Sequence, residues 1–228
     1  MENHFELGLQ ELRQKLLLMA SRAESAVNDS VRALMQRDHD LALKVRADDD
    51  IIDEYEIAID DLAIQLLTKA PLASNLRLVT VAMKVSQNLE RIGDEASKIA
   101  KRARDLAQEP PIKVVLDLPR LAGLALAMVK DALDAFVQRD SAAARAIVPR
   151  DKEVDALNRE MHAMLAQHMA ENPETIARCL HWIVAAKSLE RIADHAKNIA
   201  EEVVFLCEAQ DIRHHLKIKP SAPEDQGL

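Results

Sequence analysis

The sequence predicts an all-α protein built from two tandem three-helix bundles. The first observation behind this fold class is composition: of the 228 residues, 49% are hydrophobic but only 2% are aromatic, and there are only 4 glycines and 8 prolines. A chain with so few turn-forming residues is typical of long helices that pack through aliphatic side chains. The second and third observations are an internal repeat and a helical spacing of apolar residues.

The chain contains two copies of one unit. Residues 89–100 read LERIGDEASKIA and residues 189–200 read LERIADHAKNIA, with eight of the twelve positions identical. The tripeptide Gln-Arg-Asp likewise occurs at residues 36–38 and again at 138–140. Long-period self-similarity of this kind indicates repeated supersecondary units. The predicted first repeat, second repeat and disordered tail cover residues 1–109, 110–210 and 211–228.

Each repeat is predicted to contain three helices. Apolar residues recur in steps of three and four, for example from Leu78 to Leu106 and from Trp182 to Leu206. One such seam per helix, sustained over several heptads, is what packing in a helical bundle requires. Pro149 predicts a kink or a restart in the middle helix of the second repeat. The predicted helices cover residues 5–36, 38–69, 75–107, 113–139, 141–171 and 173–210.

Charge and hydropathy exclude several classes of function. The net charge is −8, and an acidic chain is repelled by the phosphates of nucleic acids, so we expect no nucleic-acid binding. The amino-terminal residues lack the features of a signal peptide, and the longest apolar run, 121–129, is too short to cross a bilayer. We therefore expect a cytoplasmic protein that meets a membrane only through its partners.

An acidic motif occurs once in each repeat. Glu90 and Asp94 lie one helical turn apart and outside the apolar seam, so the pattern predicts that both point away from the core. Glu190 and Asp194 repeat this arrangement at the same place in the second copy. The two motifs therefore predict two equivalent acidic surfaces.

A helical hairpin would bring two more carboxylates to each motif. In antiparallel helices, residues equally distant from the turn lie side by side. Counting residues outward from the turn between the second and third helices places Asp53 beside Glu90 and Asp49 beside Asp94. The corresponding carboxylates of the second repeat are Asp151, Asp155, Glu190 and Asp194.

Clustered carboxylates predict bound metal ions. The negative charges repel one another, and a bound cation removes that penalty. Oxygen ligands suit Mg²⁺, Mn²⁺ or Ca²⁺, and iron or zinc would also be compatible. The alternative is a solvated acidic helix face, partly paired with Arg91 and Arg191. The candidate metal ligands are Asp49, Asp53, Glu90, Asp94, Asp151, Asp155, Glu190 and Asp194.

The repeated segments resemble the PhoU family. The resemblance rests on residues 89–94, 189–195 and 198–201, and on the length and tandem organisation of the whole chain. It implies two packed PhoU-like, spectrin-like helical bundles with metal clusters on the acidic motifs. The ligands that it implies most directly are Glu90, Asp94, Glu190 and Asp194.

The two copies differ just after the acidic motif. The second copy carries His195 and Asn198, as the family motif does, whereas the first copy carries Glu95 and Lys98. Lys98 lies one turn beyond Asp94. We expect its charge to offset or to compete with a metal ion, which makes the first site the weaker one.

The resemblance implies a regulatory role. PhoU-like proteins resemble adaptors between the ATPase of the phosphate ABC transporter (PstB) and the sensor histidine kinase PhoR. A protein of this kind would be a negative regulator of the phosphate-starvation response and a modulator of phosphate uptake. It would act in signal transduction, as a homodimer.

Two other classes of protein stay open as alternatives. A di-metal carboxylate enzyme of the ferritin-like kind requires inward-facing Glu-x-x-His motifs, but Gly93 and Ala193 stand where each histidine would be. The sequence also lacks the phosphate-loop, HExxH and GxSxG motifs, so we expect no enzymatic activity. The second alternative is a helical scaffold without metal.

Overall fold

The computed structural model describes residues 2–68 and 73–213, and within these ranges the regular elements are helices. Short 3₁₀ turns, Val148–Arg150 and Pro173–Thr175, precede the last two helices. The predicted tail lies outside the described residues from 214 onward. The α-helices are α1 (Glu2–Gln36), α2 (His39–Ala47), α3 (Asp49–Leu67), α4 (Ala73–Ala107), α5 (Leu118–Gln138), α6 (Ser141–Ile147), α7 (Asp151–Glu171) and α8 (Ile176–Glu208).

The helices form the two predicted three-helix repeats. In the first, α1 packs on α3 and α4, and α3 packs on α4. In the second, α5 and α7 both pack on α8. The all-α fold predicted from the sequence is therefore confirmed. None of the helices in the described ranges is long and apolar enough to cross a membrane.

The middle helix is broken in both repeats. The break at Pro149 was expected, and a 3₁₀ turn lies there. The expected continuous helix over 38–69 is wrong, because α2 ends at Ala47 and α3 begins after Asp48. The cause lies in the acidic run of residues 48–50, since carboxylates favour the amino-terminal end of a helix, where they interact with its dipole.

The repeated Gln-Arg-Asp tripeptide forms the corner between the first and second helices of each repeat. Arg37 and Arg139 have φ values of 58° and 54°, in the left-handed region that reverses the chain after a helix. Asp38 and Asp140 then cap α2 and α6. Each aspartate accepts hydrogen bonds from backbone N–H groups two or three residues further on, at 2.9 to 3.0 Å. The same residues therefore make the same turn twice.

Helices α4 and α8 pack against each other and join the repeats into one hydrophobic core. Both helices are buried along much of their length, including Ala96 and Ala100 on α4 and Ala196 and Ala200 on α8. Small side chains allow close approach, so each helix can pack within its own bundle and against the other repeat. A large part of the buried surface of α4 and α8 is thus shared between the repeats.

Polar contacts also cross between α4 and α8. Glu95 and Glu202 are both buried. Burial opposes ionisation of Glu95, but hydrogen bonds from Lys98 and Ser188 and the charge of Arg191 outweigh it and hold its pKa below the usual value. The crossing contacts include Arg191 to Glu95 (3.3 Å), Lys84 to Glu202 (3.0 Å) and His195 to Asn88 (3.0 Å).

The Asp140 cap predicts a measurable share of stability. Asp140→Ala should lower the free energy of unfolding by about 1 kcal/mol, because two backbone N–H groups of α6 lose their acceptor. Asp140→Asn should retain most of that free energy. Denaturant unfolding followed by circular dichroism measures the change. The control is Asp134→Ala on the exposed face of α5, and an equal loss in both alanine variants would contradict the capping role.

Candidate metal centres

The first carboxylate cluster consists of Asp49 and Asp53 on α3 and Glu90 and Asp94 on α4. Burial raises the pKa of Asp49, and repulsion from Asp53 and Asp94 adds to it, against a hydrogen bond from Ser97. Burial and then the charge of Asp94 also raise the pKa values of Asp53 and Glu90. The structure therefore brings together the four carboxylates that the hairpin count placed side by side.

One arginine faces the first carboxylate cluster. Arg91 Nε lies 3.3 Å from Glu90 Oε2, and Arg91 Nη1 lies 3.7 Å from Asp94 Oδ2. Arg91 is about half exposed, and such pairs neutralise little charge in water. Repulsion within the cluster is therefore only partly relieved.

Glu56 is an acidic neighbour of the first cluster, as its place in the acidic sequence around Asp53 predicts. Burial raises the pKa of Glu56, and repulsion from Asp60 and Asp53 adds to the effect. Glu56 lies three residues after Asp53 on the same helix. Residues three apart on a helix share a face, so Glu56 adds negative charge beside Asp53.

The second carboxylate cluster consists of Asp151 and Asp155 on α7 and Glu190 and Asp194 on α8. Burial, followed by repulsion from Asp151 and Glu190, raises the pKa of Asp194 to about 6. Asp155 adds a smaller repulsion. As in the first repeat, the predicted set of four comes together on one helical hairpin.

Two lysines that the sequence analysis missed pair with the second cluster. Lys197 Nζ lies 2.8 Å from Asp151 Oδ2, and Lys187 Nζ lies 2.5 Å from Glu190 Oε2. A comparison of the two copies would have revealed both, since the residues 100 positions earlier are uncharged: Ser97 and Gln87. The second cluster therefore contains more positive charge than the first.

The expectation that all motif carboxylates point away from the core is wrong for Glu190. Glu190 and Asp151 are each only 8% exposed, whereas the Asp94 side chain is 39% exposed. The number of neighbouring helices does not account for this difference, since α4 packs against α1, α2, α3 and α8 and α8 packs against α4, α5, α6 and α7. Because each helix has neighbours on several sides, a position outside one apolar seam is not necessarily exposed.

The expectation that Lys98 acts on the first cluster is not supported by its contacts. Lys98 Nζ lies 2.9 Å from Glu95 Oε1 at the contact between α4 and α8. Arg191, expected beside the second cluster, lies on the same Glu95. Both cations are drawn there because Glu95 is a buried carboxylate that requires compensation.

The donor chemistry of both clusters fits a hard cation, but the side chains do not converge on one point. In residues 2–68 and 73–213, no three Asp, Glu, His or Cys side chains are placed to hold a metal ion. Asp151 Oδ1 is nevertheless buried without a hydrogen-bond partner. Buried, mutually repelling carboxylates are stabilised by a nearby cation. The residues fit a metal ion if the side chains close around it.

The fold and its two acidic hairpins define a class of tandem helical-bundle proteins in which a carboxylate cluster recurs in each repeat. A family model described as the PhoU domain matches residues 16–103 and 118–203. The chain therefore belongs to the PhoU family. The two matched segments fall within the two repeats seen in the structure.

Relatives and solved structures agree with this assignment over nearly the whole chain. The chain is 41% identical over 212 residues to the phosphate-specific transport system accessory protein PhoU homolog of Pseudomonas aeruginosa, covering 92% of this chain and 88% of that protein. The crystal structure of PhoU from Pseudomonas aeruginosa has a TM-score of 0.87 at 40% identity, covering 90% of this chain and 100% of that one. The crystal structure of the phosphate transport system regulatory protein PhoU from Streptococcus pneumoniae has a TM-score of 0.82 at 26% identity, covering 92% of this chain and 100% of that one.

Asp194 predicts a pH-dependent effect on stability. Its folded pKa of about 6 exceeds the ordinary value of 3.8, so ionisation of the side chain lowers stability increasingly between these two pH values, fully above about pH 6 and hardly at all at about pH 3. In metal-free protein, Asp194→Asn should raise the free energy of unfolding by about 1 kcal/mol at pH 7.5, after allowance for partial exposure. Denaturant unfolding at both pH values in a chelator measures the difference.

A matched control and a pH series make the Asp194 prediction specific. Wild type and Asp194→Asn should converge at about pH 3, below both pKa values, where the aspartate is mostly protonated in the folded and in the unfolded state. Asp134→Asn, at an exposed position on α5, should change stability little at either pH. A destabilised Asp194→Asn variant at pH 7.5 would contradict the electrostatic account.

Proposed function

We propose that this chain is a regulatory adaptor of phosphate homeostasis. The observation that carries the proposal is similarity along 92% of the chain to a protein named as an accessory protein of phosphate-specific transport. The second support is the fold shared with a protein described as a phosphate transport system regulatory protein. In this role the chain is a negative regulator of the phosphate-starvation response and restrains phosphate uptake.

The proposed partners are the ATPase of the phosphate ABC transporter, which is PstB-like, and a sensor histidine kinase, which is PhoR-like. The protein acts in the cytoplasm as a homodimer and meets the membrane only through these partners. The surface of α3 suits such docking, because Ile57 and Ile64 are 63% and 56% exposed and lie two turns apart beside the acidic residues. Apolar contacts surrounded by charge are typical of protein interfaces.

The adaptor role is a binding function rather than a reaction. Asp53 is exposed and Asp94 is partly exposed, so the first cluster lies on an open helix face. Enzymes instead favour enclosed pockets with a few convergent polar groups. The acidic faces suit recognition of a partner more than chemistry on a small substrate.

We further propose that both carboxylate clusters bind divalent or trivalent metal ions, namely Mg, Mn, Fe or Zn. The support is the oxygen-only donor set and the mutual repulsion of the carboxylates. A bound ion would supply positive charge at the point where the two helices of each hairpin meet. Asp49 and Asp53 would then be held against α4, and Asp151 and Asp155 against α8, which would fix the shape of the docking surfaces.

Deletion of the gene in its own organism tests the regulatory role. A phosphate-starvation reporter such as alkaline phosphatase should be active in phosphate-rich medium, because the adaptor no longer restrains the response. Restoring the intact gene should return the reporter to its repressed level. Unchanged reporter activity and unchanged phosphate uptake in the deletion strain would reject the role.

Quantification of bound metal tests the metal sites. Untagged protein should contain metal, and the variant Glu90→Ala/Asp94→Ala/Glu190→Ala/Asp194→Ala should contain little, because both clusters lose half of their ligands. Mass spectrometry of the elements in equal amounts of folded protein gives the measurement. Glu24→Ala/Glu160→Ala, at exposed positions away from the clusters, is the control. Metal content that is the same in all three proteins would exclude the clusters as the sites.

A further inference from the structure

The two carboxylate clusters differ at the residue three positions after the aspartate of the acidic motif. In the second cluster this residue is Lys197, whose Nζ donates to Asp151 Oδ2 at 2.8 Å. In the first cluster it is Ser97, whose hydroxyl hydrogen-bonds to Asp49 and carries no charge. Asp49 and Asp151 hold corresponding places in the two hairpins. One cluster therefore contains an ammonium group where the other contains a neutral hydroxyl.

Lys197 is held firmly in this position. Its side chain is 29% exposed and that of Asp151 is 11% exposed, so the pair is shielded from much of the solvent. Ion pairs in such surroundings are stronger than those at an open surface. The Nζ atom of Lys197 lies within hydrogen-bond distance of Asp151 Oδ2, and a lysine ammonium is charged at neutral pH.

The remaining cations increase the difference between the clusters. Lys187 pairs with Glu190 in the second cluster. In the part of the chain that the structure describes, Arg91 supplies the ion pairs of the first cluster. Arg191, its counterpart, binds Glu95 instead. The second cluster is thus compensated by two lysines and the first by one half-exposed arginine.

We propose that Lys197 is a built-in cation that takes the place of a metal ion in the second cluster, so that the two clusters bind divalent cations with different affinity. This inference rests on the proposed metal binding and assigns the tighter site to the first cluster. A metal ion can engage both oxygens of Asp151 only by displacing the ammonium. Asp151 Oδ1, which is buried and has no hydrogen-bond partner, is the atom that such an ion would approach. This order of affinities, with the first cluster binding more tightly than the second, is the reverse of the order expected if Lys98 acted on the first cluster.

Titration of the metal-free full-length protein with Mn²⁺ tests this inference. Electron paramagnetic resonance of free Mn²⁺ separates a tight class of site from a weak class. The tight class should be lost in Glu90→Ala/Asp94→Ala, and the weak class in Glu190→Ala/Asp194→Ala. Lys197→Met should strengthen the weak class about tenfold, or about 1.4 kcal/mol, because the competing charge is removed while the aliphatic length is kept.

Two matched variants show whether the effect on metal affinity requires a positive charge at residue 197 in particular. Lys197→Arg should retain the weak class, because it keeps a cation beside Asp151. Lys101→Met removes an exposed lysine from α4 and should leave the affinities of both classes of metal site unchanged. Circular dichroism of each variant establishes that it is folded before its affinity is compared.

The outcomes distinguish this inference from the proposed metal binding on which it rests. Two classes of site that Lys197→Met leaves within twofold of wild type would overturn the role of Lys197 and leave the metal sites standing. Loss of the tight class in Glu190→Ala/Asp194→Ala would also overturn it. Wild type that binds no Mn²⁺, Mg²⁺, Fe²⁺ or Zn²⁺ would overturn both.

Discussion

The contact between α4 and α8 is the constraint on which the rest of the structure depends. Each helix must bury one face in its own bundle and a second face against the other repeat. Alanines such as Ala96 and Ala196 permit this double packing, because they are buried and their small side chains let the helices approach closely. Only a narrow stripe of each helix is left for charged residues. The acidic motifs lie on that stripe, which brings them to the α3 and α7 hairpin partners and limits their exposure.

The same constraint accounts for the distribution of cations. Glu95 is buried between the repeats, so it draws Lys98 and Arg191 to itself. The sequence pattern had associated both of these residues with the metal sites. Because they serve the contact between repeats, compensation of the clusters is left to Arg91 on one side and to Lys187 and Lys197 on the other. Two nearly identical motifs therefore acquire different electrostatic surroundings through residues outside the motif.

Patterns that depend on helical geometry were predictable from the sequence. The hairpin count correctly brought Asp49 to Asp94 because an antiparallel helix pair fixes which residues lie at the same level. The predicted boundary between the first two helices, after residue 36, agrees with the end of α1 at Gln36. The exposure of Glu190 and the partner of Lys98 were not predictable, since both depend on how several neighbouring helices pack around α4 and α8. Periodicity within one helix contains no information about that packing.

The shared core has a consequence for the history of the chain. A single repeat on its own would expose the face of α4 that α8 now covers. The simplest way to cover that face is another copy of the same repeat, since α8 is built on the same sequence. The present chain then corresponds to a symmetric pair joined end to end by residues 108–117. After such a fusion each half is free to change alone, and Ser97 and Lys197 mark a place where the halves have diverged.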